Sequence, residues 1–253
     1  MKPRYKIVIP ARYASERLPG KLLLDLGGQS VLQRAWQQAT NSSAETVVIA
    51  TDDECIVDAA TKFGAEVVLT AQSHQSGSDR IAECAEKLQW QADQLIVNLQ
   101  GDEPLMPAAC LDQVAELLHQ HPDCGVASLY WPVNDVDELN NRNAVKVVTD
   151  THNRALYFSR SPIPFYQGHL DAGAADSAGA CWKRHLGLYA YRLTALRQFA
   201  AMTPSPLETA ERLEQLRILE NGGDIQMAEA CEFIPAGIDT AEDLNRIRRL
   251  VNP

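Results

Sequence analysis

The stretch Ile7-Val8-Ile9-Pro10-Ala11-Arg12-Tyr13-Ala14-Ser15-Glu16-Arg17-Leu18-Pro19-Gly20-Lys21 decides how this chain folds. Its apolar start predicts a buried strand, and the basic residues after it predict a loop. Gly20 lets backbone N–H groups approach phosphate oxygens, while Arg12, Arg17 and Lys21 supply the charge that a polyphosphate needs. The alternative is an ordinary solvated loop. The glycine spacing matches neither the dinucleotide fingerprint nor the Walker loop.

Length and charge restrict the kind of protein. The chain has 253 residues, of which 45% are hydrophobic, and its net charge is −10. This suffices for one large α/β domain or two small ones. The acidic balance argues against nucleic acid or a membrane surface as a partner, so the basic loop is a local exception directed at a small anion.

The N-terminus and the cysteines indicate the compartment. The apolar run near the N-terminus is too short for a signal peptide, and no run reaches membrane-spanning length, so we expect a cytoplasmic protein. The cysteines are scattered in mostly apolar surroundings, which predicts buried free thiols rather than disulfides or a zinc site. They lie at positions 55, 84, 110, 124, 181 and 231.

Alternating patterns in the first half predict a βαβαβαβ order. Strands are expected to begin near Ile7 and to cover 46–51, 66–70 and 95–99, with helices at 30–40, 54–63, 78–90 and 107–119. This alternation predicts an α/β fold with a doubly wound, mostly parallel sheet, whose functional groups lie outside the carboxyl ends of its strands. The basic loop and Asp102 both fall at such ends.

The second half departs from this alternation. Strands are predicted at 126–133, 145–149 and 155–158, the last two as a hairpin, followed by a flap at 160–184 and a strand at 185–192. Helices at 193–202 and 207–220, a strand at 225–229 and a helix from Thr240 complete the chain. We therefore divide the chain into a nucleotide-binding half (1–125), a strand and flap insertion (126–192) and a C-terminal part (193–253) that completes the same domain.

Two aspartates are candidate metal ligands. Asp102 follows a buried strand in Gln100-Gly101-Asp102-Glu103-Pro104, and Asp239 precedes a helix. Each has a simpler interpretation, as a turn or cap residue. Beside a triphosphate loop, however, one or two carboxylates are the common ligands of Mg²⁺.

An ordered set of segments resembles one family from end to end. The segments are Ile9-Pro10-Ala11-Arg12, Pro19-Gly20-Lys21, His74-Gln75-Ser76-Gly77, Val97 to Pro104, Asn143 to Val148, Leu156-Tyr157-Phe158-Ser159-Arg160, His185-Leu186-Gly187, Ser205-Pro206-Leu207-Glu208, Leu213-Glu214-Gln215-Leu216-Arg217 and Asp239 to Leu244. Together they resemble the 3-deoxy-manno-octulosonate (Kdo) cytidylyltransferases. The resemblance implies a fold of the nucleotide-diphospho-sugar transferase type and the transfer of CMP from CTP to Kdo, which releases pyrophosphate and activates the sugar for lipopolysaccharide biosynthesis.

The resemblance also implies roles for individual residues. The implied catalytic residues are Lys21, Arg12 and Asp102, with Mg²⁺ on Asp102 and Asp239. The implied nucleotide contacts are Ala11, Arg12, Arg17, Lys21, Ser76, Gly77, Arg80 and Gln100. The implied sugar contacts are Gln100, Arg160, His185, Tyr189, Glu214 and Gln215, and Arg160 and His185 are expected to bind the sugar carboxylate. Glu214 and Gln215 could instead form a solvated helix face, and Tyr189 could belong to the core.

Several alternatives remain open. Another sugar nucleotidyltransferase could use UTP or make CMP-sialic acid, and some members of the wider family prefer Kdo with an amine at carbon 8; we favour the 8-hydroxy sugar. A glycosyltransferase would be expected to use an Asp-x-Asp pair and needs no pyrophosphate loop. A non-catalytic binding module would not need both aspartates and Lys21. Family members are commonly homodimers, and we expect the interface in segment 126–192.

Overall fold

A computed structural model describes residues 3–15, 17–74, 76–167 and 181–251. Glu16 and Gln75 of the quoted motifs lie outside the described residues. So does the part of the predicted flap that covers residues 168–180.

One sheet contains all the strands of the described residues. They are β1 (Tyr5–Ala11), β2 (Thr46–Thr51), β3 (Glu66–Leu69), β4 (Leu95–Asn98), β5 (Val126–Pro132), β6 (Lys146–Thr149), β7 (Ala155–Ser159), β8 (Lys183–Arg192) and β9 (Ile225–Glu229). The order is β3-β2-β1-β4-β8-β5-β9, and the β6–β7 hairpin attaches to β8. Strands β1 to β4 are parallel, as are β5 and β9, whereas β8 runs antiparallel to β4 and β5. The predicted mostly parallel α/β fold is confirmed.

Helices cover both faces of this sheet. They are α1 (Val31–Thr40), α2 (Glu54–Lys62), α3 (Gly77–Lys87), α4 (Ala108–Gln120), α5 (Val136–Asn140), α6 (Leu193–Ala201), α7 (Pro206–Glu211), α8 (Gln215–Glu220) and α9 (Ala241–Val251). Along β1 the side chains alternate between the faces. Ile7 and Ile9 pack into the core that includes α1, α2, α4 and α9, while Val8 packs into the core that includes α3, α6 and α8. A strand buried on both faces explains why its sequence is a continuous apolar run.

The single helix predicted at 207–220 is wrong, because two short helices occupy this segment. Arg212 adopts a left-handed conformation with φ 54°, which interrupts the helical backbone between α7 and α8. Across this break, Glu208 of α7 binds the guanidinium of Arg217 in α8 through two contacts of 2.7 and 2.5 Å. Both side chains are buried. This ion pair therefore holds α7 and α8 against each other as two helices, although the local sequence pattern predicts one continuous helix.

The predicted β6–β7 hairpin is present, and other details differ. Strand β8 begins at Lys183, inside the predicted flap, because its first residues pair with β5 and β6. Helix α5 was not predicted. In the described part of the chain no helix is both long and apolar enough to cross a membrane.

The cysteines follow the prediction in part. All six are free thiols, as predicted. However, Cys55 and Cys231 are exposed, so burial of every thiol was wrong. Cys55 lies in the first turn of α2 and Cys231 lies in the loop after β9, and both positions are at the surface.

Candidate active site

A cavity of about 900 Å³ lies at the carboxyl ends of the central strands. Its wall joins residues from both halves of the chain. Among the residues predicted from sequence, it includes Arg17, Gly77, Gln100, Asp102, His185, Tyr189, Glu214, Gln215 and Asp239. The expected convergence of distant motifs at this edge of the sheet is therefore observed for these positions.

Lys21 joins the basic loop to the two aspartates. Its Nζ lies 2.5 Å from Asp102 Oδ2 and 3.1 Å from Asp239 Oδ1, and it also donates to the Ile238 carbonyl at 3.0 Å. Arg17 contacts the other oxygen of Asp239 at 2.9 Å. The two carboxylates raise the pKa of Lys21 although burial opposes them, so its ammonium remains charged. One cation thus brings together two carboxylates that are distant in sequence.

Backbone contacts fix the separation of the two aspartates. The N–H of Ile238 donates to the carbonyl of Asp102 at 3.0 Å. Gly237 favours this close approach, because a Cβ there would lie 3.0 Å from that carbonyl oxygen, which is tighter than an ordinary contact. On the other side, Asp243 accepts from the N–H groups of Asp239 and Thr240, which anchors Asp239 at the start of α9. The geometry of the pair thus depends on main-chain contacts.

The acidic pair also affects its neighbour Glu103. Desolvation raises the pKa of Glu103 to about 8, and the adjacent Asp102 carboxylate contributes to the increase. The turn that carries Asp102 therefore concentrates negative potential. Such a site favours a cation.

The loop after β1 is close to the N-terminus of α3. Gly20 takes a left-handed φ of 64° and leads into a 3₁₀ turn at Lys21–Leu23. Arg12 donates to the His74 carbonyl at 2.9 Å, which ties the loop to the segment before α3. Gly77 lies against Pro10, and Ser76 caps the helix by accepting from the Asp79 N–H. The free N–H groups of the first turn of α3 can bind an anion beside the basic loop.

Five residues assigned to the nucleotide by resemblance are not among those that line the cavity, namely Ala11, Arg12, Lys21, Ser76 and Arg80. Ala11 is fully buried at the end of β1, and the Ser76 side chain is used in the helix cap. Arg80 is fully buried, with its guanidinium 2.8 Å from Asp52 and hydrogen-bonded to Thr70. Burial drives Arg80 to pair with a carboxylate behind the loop, because an unpaired buried charge is costly. In this arrangement it supports β2, β3 and α3 and does not face the cavity.

His185 lies in the cavity wall as a neutral imidazole. Burial lowers its pKa to about 3. Its Nε2 is 3.1 Å from Ser128 Oγ, and that hydroxyl has its single hydrogen directed at a main-chain carbonyl, that of Leu188 at 2.8 Å. The imidazole must therefore donate from Nε2, which leaves Nδ1 as an acceptor. In this state His185 can accept a hydrogen bond from a sugar hydroxyl, and its lowered pKa favours the uncharged imidazole.

Arg160 also departs from its predicted role. Its guanidinium donates to the carbonyls of Glu211 and Arg142 at 2.8 and 3.0 Å, and it is not part of the cavity wall. These bonds hold the end of β7 against α7. The described residues therefore do not bring Arg160 and His185 together in the cavity wall, and the binding of a carboxylate by this pair stays a prediction.

The remaining predicted sugar contacts are polar groups of the wall. Gln100 donates to Asn98, and Ser78 donates to Glu214 at 3.4 Å. Burial raises the pKa of Glu214. Gln215 and Tyr189 are mostly buried, so the solvated helix face that we kept open for Glu214 and Gln215 does not describe Gln215.

Sequence reasoning missed Arg184. This residue lines the cavity, pairs with Glu138 at 2.9 Å and donates to the Ile234 carbonyl at 3.1 Å. Its Nε is buried and has no hydrogen-bond partner among the described residues. The only available signal was its place directly before His185.

The sequence does contain an Asp-x-Asp triplet, Asp135-Val136-Asp137. The Asp-x-Asp criterion therefore does not exclude a glycosyltransferase. The structure gives it a local role, since the Asp135 side chain accepts from the Asp137 N–H at 3.1 Å and caps α5. Both residues line the cavity. In the sequence they are distant from Asp102 and Asp239, the two aspartates that bind Lys21.

The donor set fits a magnesium ion that is bound mainly through its substrate. Within the described residues no group of three or more His, Cys, Asp or Glu could hold a metal. Asp102 and Asp239 nevertheless offer two hard carboxylates at one point, and Mg²⁺ is usually held by one or two carboxylates together with phosphates and water. Zinc or a permanently bound structural metal would require more protein ligands.

Comparisons with known proteins show which family the chain is similar to. A family described as Cytidylyltransferase matches residues 6–225. The 3-deoxy-manno-octulosonate cytidylyltransferases of Pseudomonas syringae pv. syringae and Chromohalobacter salexigens are 50% and 51% identical to this chain; the alignments cover 99% and 97% of it and 99% and 95% of the relatives. A solved structure of CMP:2-keto-3-deoxy-manno-octonic acid synthetase complexed with CTP is 36% identical, with a TM-score of 0.89 and 98% of each chain covered.

A more distant structure supports the fold alone. A cytidylyltransferase from Leptospira borgpetersenii serovar Hardjo-bovis is 18% identical, with a TM-score of 0.62 over 97% of this chain and 85% of that one.

Proposed function

The chain belongs to the cytidylyltransferase family, and we propose that it transfers CMP from CTP to 3-deoxy-manno-octulosonate, with release of pyrophosphate. The observation that carries this proposal is the convergence of Lys21, Asp102 and Asp239 at one end of a large polar cavity. Relatives about half identical over nearly their whole length are named for this activity. The product would be the activated sugar for lipopolysaccharide assembly.

We propose Mg²⁺ as the cofactor, held by Asp102 and Asp239 together with the phosphates of CTP. When bound, the ion would neutralise charge on those phosphates and lower the pKa of a coordinated hydroxyl. In the structure Lys21 occupies both carboxylates. Its ammonium would therefore have to turn towards the α-phosphate when CTP enters, where it would stabilise the charge that develops there.

The protein's own part in the reaction is binding and alignment. The sugar's anomeric hydroxyl attacks the α-phosphorus, and pyrophosphate leaves from the opposite side. Arg12, Arg17 and the N-terminus of α3 surround the proposed triphosphate position. No covalent intermediate with the protein is needed, because holding two reactants in line can itself supply several kcal/mol of the barrier, roughly 7–11 in favourable cases.

The acceptor is a sugar acid with several hydroxyl groups. Gln100, Tyr189 and Gln215 offer polar partners for hydroxyls, and neutral His185 offers an acceptor. The carboxylate needs a cation in the wall. Since Arg160 is not among the residues that line the cavity, we propose that Arg184 or Arg212 takes this role, because both line it.

Pyrophosphate release from the purified protein tests the proposed function. We expect release with CTP, Mg²⁺ and Kdo, and much slower release with UTP or with N-acetylneuraminate. The 8-amino analogue of Kdo should also react more slowly, because the segments Ser205-Pro206-Leu207-Glu208 and His74-Gln75-Ser76-Gly77 follow the common pattern of the family rather than that of members that prefer the amine sugar. Faster release with UTP, sialic acid or the amine sugar would contradict the corresponding part of the proposal.

We also propose that the protein is a homodimer. We propose that it acts in the cytoplasm, because that compartment supplies CTP. Leu156 on β7 and Phe165 are 60% and 88% exposed, and both lie in the segment 126–192. Large exposed apolar side chains of this kind, one on the β6–β7 hairpin and one just beyond it, are typical of a subunit interface. Sedimentation equilibrium should give twice the chain mass, and Phe165→Asp should shift the protein towards monomer. A monomeric parent protein at micromolar concentration would contradict the proposal.

A further inference from the structure

Two cysteines that the proposed reaction does not use lie against each other. Cys110 Sγ, in the first turn of α4, is 3.8 Å from Cys231 Sγ, just after β9. Cys110 is buried and Cys231 is exposed. The sulfur of Cys231 is therefore accessible to an oxidant in solution, whereas the sulfur of Cys110 is shielded from it.

Gln113 fixes the position of the two segments. Its Oε1 accepts from the Cys231 N–H at 2.8 Å, and its Nε2 donates to the Glu229 carbonyl at 2.7 Å. Gln113 and Cys110 are three residues apart on one face of α4. Because both main chains are anchored, a disulfide with a bond near 2.0 Å requires the sulfurs to move together by less than about 2 Å. Side-chain rotation can provide this movement.

Both cysteines are close in sequence to the metal carboxylates. Cys110 follows the turn that carries Asp102, and Cys231 begins the loop that ends at Asp239. Residues 234–239 of that loop form part of the cavity wall. A bond between the sulfurs would tie the beginning of this loop to α4, while the Ile238–Asp102 hydrogen bond already holds its end.

We propose that Cys110 and Cys231 are a modification site at which a peroxide forms a reversible disulfide that lowers turnover by tethering the Asp239 loop. Formation of the bond does not depend on the proposed function. The effect on turnover rests on it, because the loop must adjust when Lys21 gives up its contacts to Asp102 and Asp239.

The chemistry is balanced with hydrogen peroxide as the oxidant. The Cys231 thiolate attacks one peroxide oxygen, the O–O bond breaks, and the protein keeps a sulfenic acid while the other oxygen leaves as hydroxide and takes up a proton. The Cys110 sulfur then attacks the Cys231 sulfur, the S–O bond breaks, and the departing hydroxide leaves as water with the Cys110 proton. Two thiols are oxidised to one disulfide, and one peroxide is reduced to two waters.

The order of these steps follows from the surroundings of each sulfur. Burial raises the pKa of the Cys110 thiol to about 12. Cys110 therefore stays protonated at neutral pH and reacts poorly with an oxidant in solution. Exposed Cys231 meets the peroxide first, and Cys110 is the neighbour that resolves its sulfenic acid.

Peptide mapping after treatment with hydrogen peroxide tests the bond itself. We expect a Cys110–Cys231 cross-linked peptide and the loss of two alkylatable thiols per chain, both reversed by dithiothreitol. Cys231→Ser should abolish the cross-link, whereas Cys55→Ser, a change at the other exposed thiol, should leave it intact. Accumulation of Cys231 sulfinic acid without the cross-link, or a cross-link in the Cys231→Ser protein, would overturn the proposal.

Turnover measured on the same samples tests the consequence. Oxidation should lower kcat by about twofold or more in the parent and Cys55→Ser proteins, because a tethered loop limits the adjustment of the site. Cys231→Ser should resist this loss. If the disulfide forms while kcat is unchanged, the tethering role is refuted although the modification stands. If no variant has activity with CTP and Kdo even before oxidation, the proposed function fails and the mapping result is unaffected.

Discussion

Replacing Asp102 by Asn should lower kcat on the order of a hundredfold or more while the protein remains folded. The carboxamide keeps the size of the side chain but removes a charged ligand at the reacting phosphates. Lys21 retains its contacts to Asp239 and to the Ile238 carbonyl, so the loop should stay in place. Steady-state pyrophosphate release and a urea unfolding curve together measure the two effects.

Controls separate the metal role from a general loss of charge. Asp239→Asn should behave like Asp102→Asn, and both should weaken the binding of Mg²⁺–CTP measured by calorimetry. Asp123→Asn is the matched control, since that carboxylate is 59% exposed and pairs with Arg154 away from the cavity. Chelation should abolish the activity of the parent protein without changing its circular dichroism. Near-normal turnover of either site variant at limiting Mg²⁺ would refute the shared metal site.

Replacing Glu208 by Leu should destabilise the protein by about 3–5 kcal/mol, because it leaves the guanidinium of Arg217 buried without its carboxylate. Glu208 also accepts from the Ser205 N–H at 3.0 Å and so closes the cap of α7. The two side chains are only 11% and 8% exposed, so water cannot replace the lost partner. The midpoint of urea unfolding measures the change.

A double variant tests whether the cost comes from the unpaired charge. Glu208→Leu combined with Arg217→Met should recover much of the lost stability, since an apolar pair of similar volume often replaces a buried ion pair at little cost. Asp224→Asn, which breaks an exposed pair with Arg154, should cost no more than about 1 kcal/mol. Equal effects of Glu208→Leu and Asp224→Asn would show that the buried pair does not hold α7 and α8 together.

The Glu208–Arg217 pair also explains what the two quoted segments around 205–208 and 213–217 do. From sequence they are only parts of a resemblance. In the structure the two segments are joined by this ion pair. The chain turns between them at Arg212, and the turn places Glu214 and Gln215 in the cavity wall. The two segments therefore have a structural role. They affect the substrate only because the ion pair determines where Glu214 and Gln215 lie.

The sequence by itself determined the central sheet and the meeting of Lys21 with Asp102. Strands β1 to β4 are buried runs separated by amphipathic helices, and these local patterns predict the element type and the parallel direction of the strands. Parallel strands then place their carboxyl ends at one edge, so residues that follow β1 and β4 must come close together.

Only the tertiary structure decided the insertion of β8 between β4 and β5, the burial of Arg80 beside Asp52, and the neutral state of His185. The strand order depends on pairing between segments far apart in sequence, which a periodic pattern does not encode. The charge of an imidazole or the partner of a guanidinium depends on which groups surround it and exclude water from it. Those surroundings exist only after the whole chain has folded.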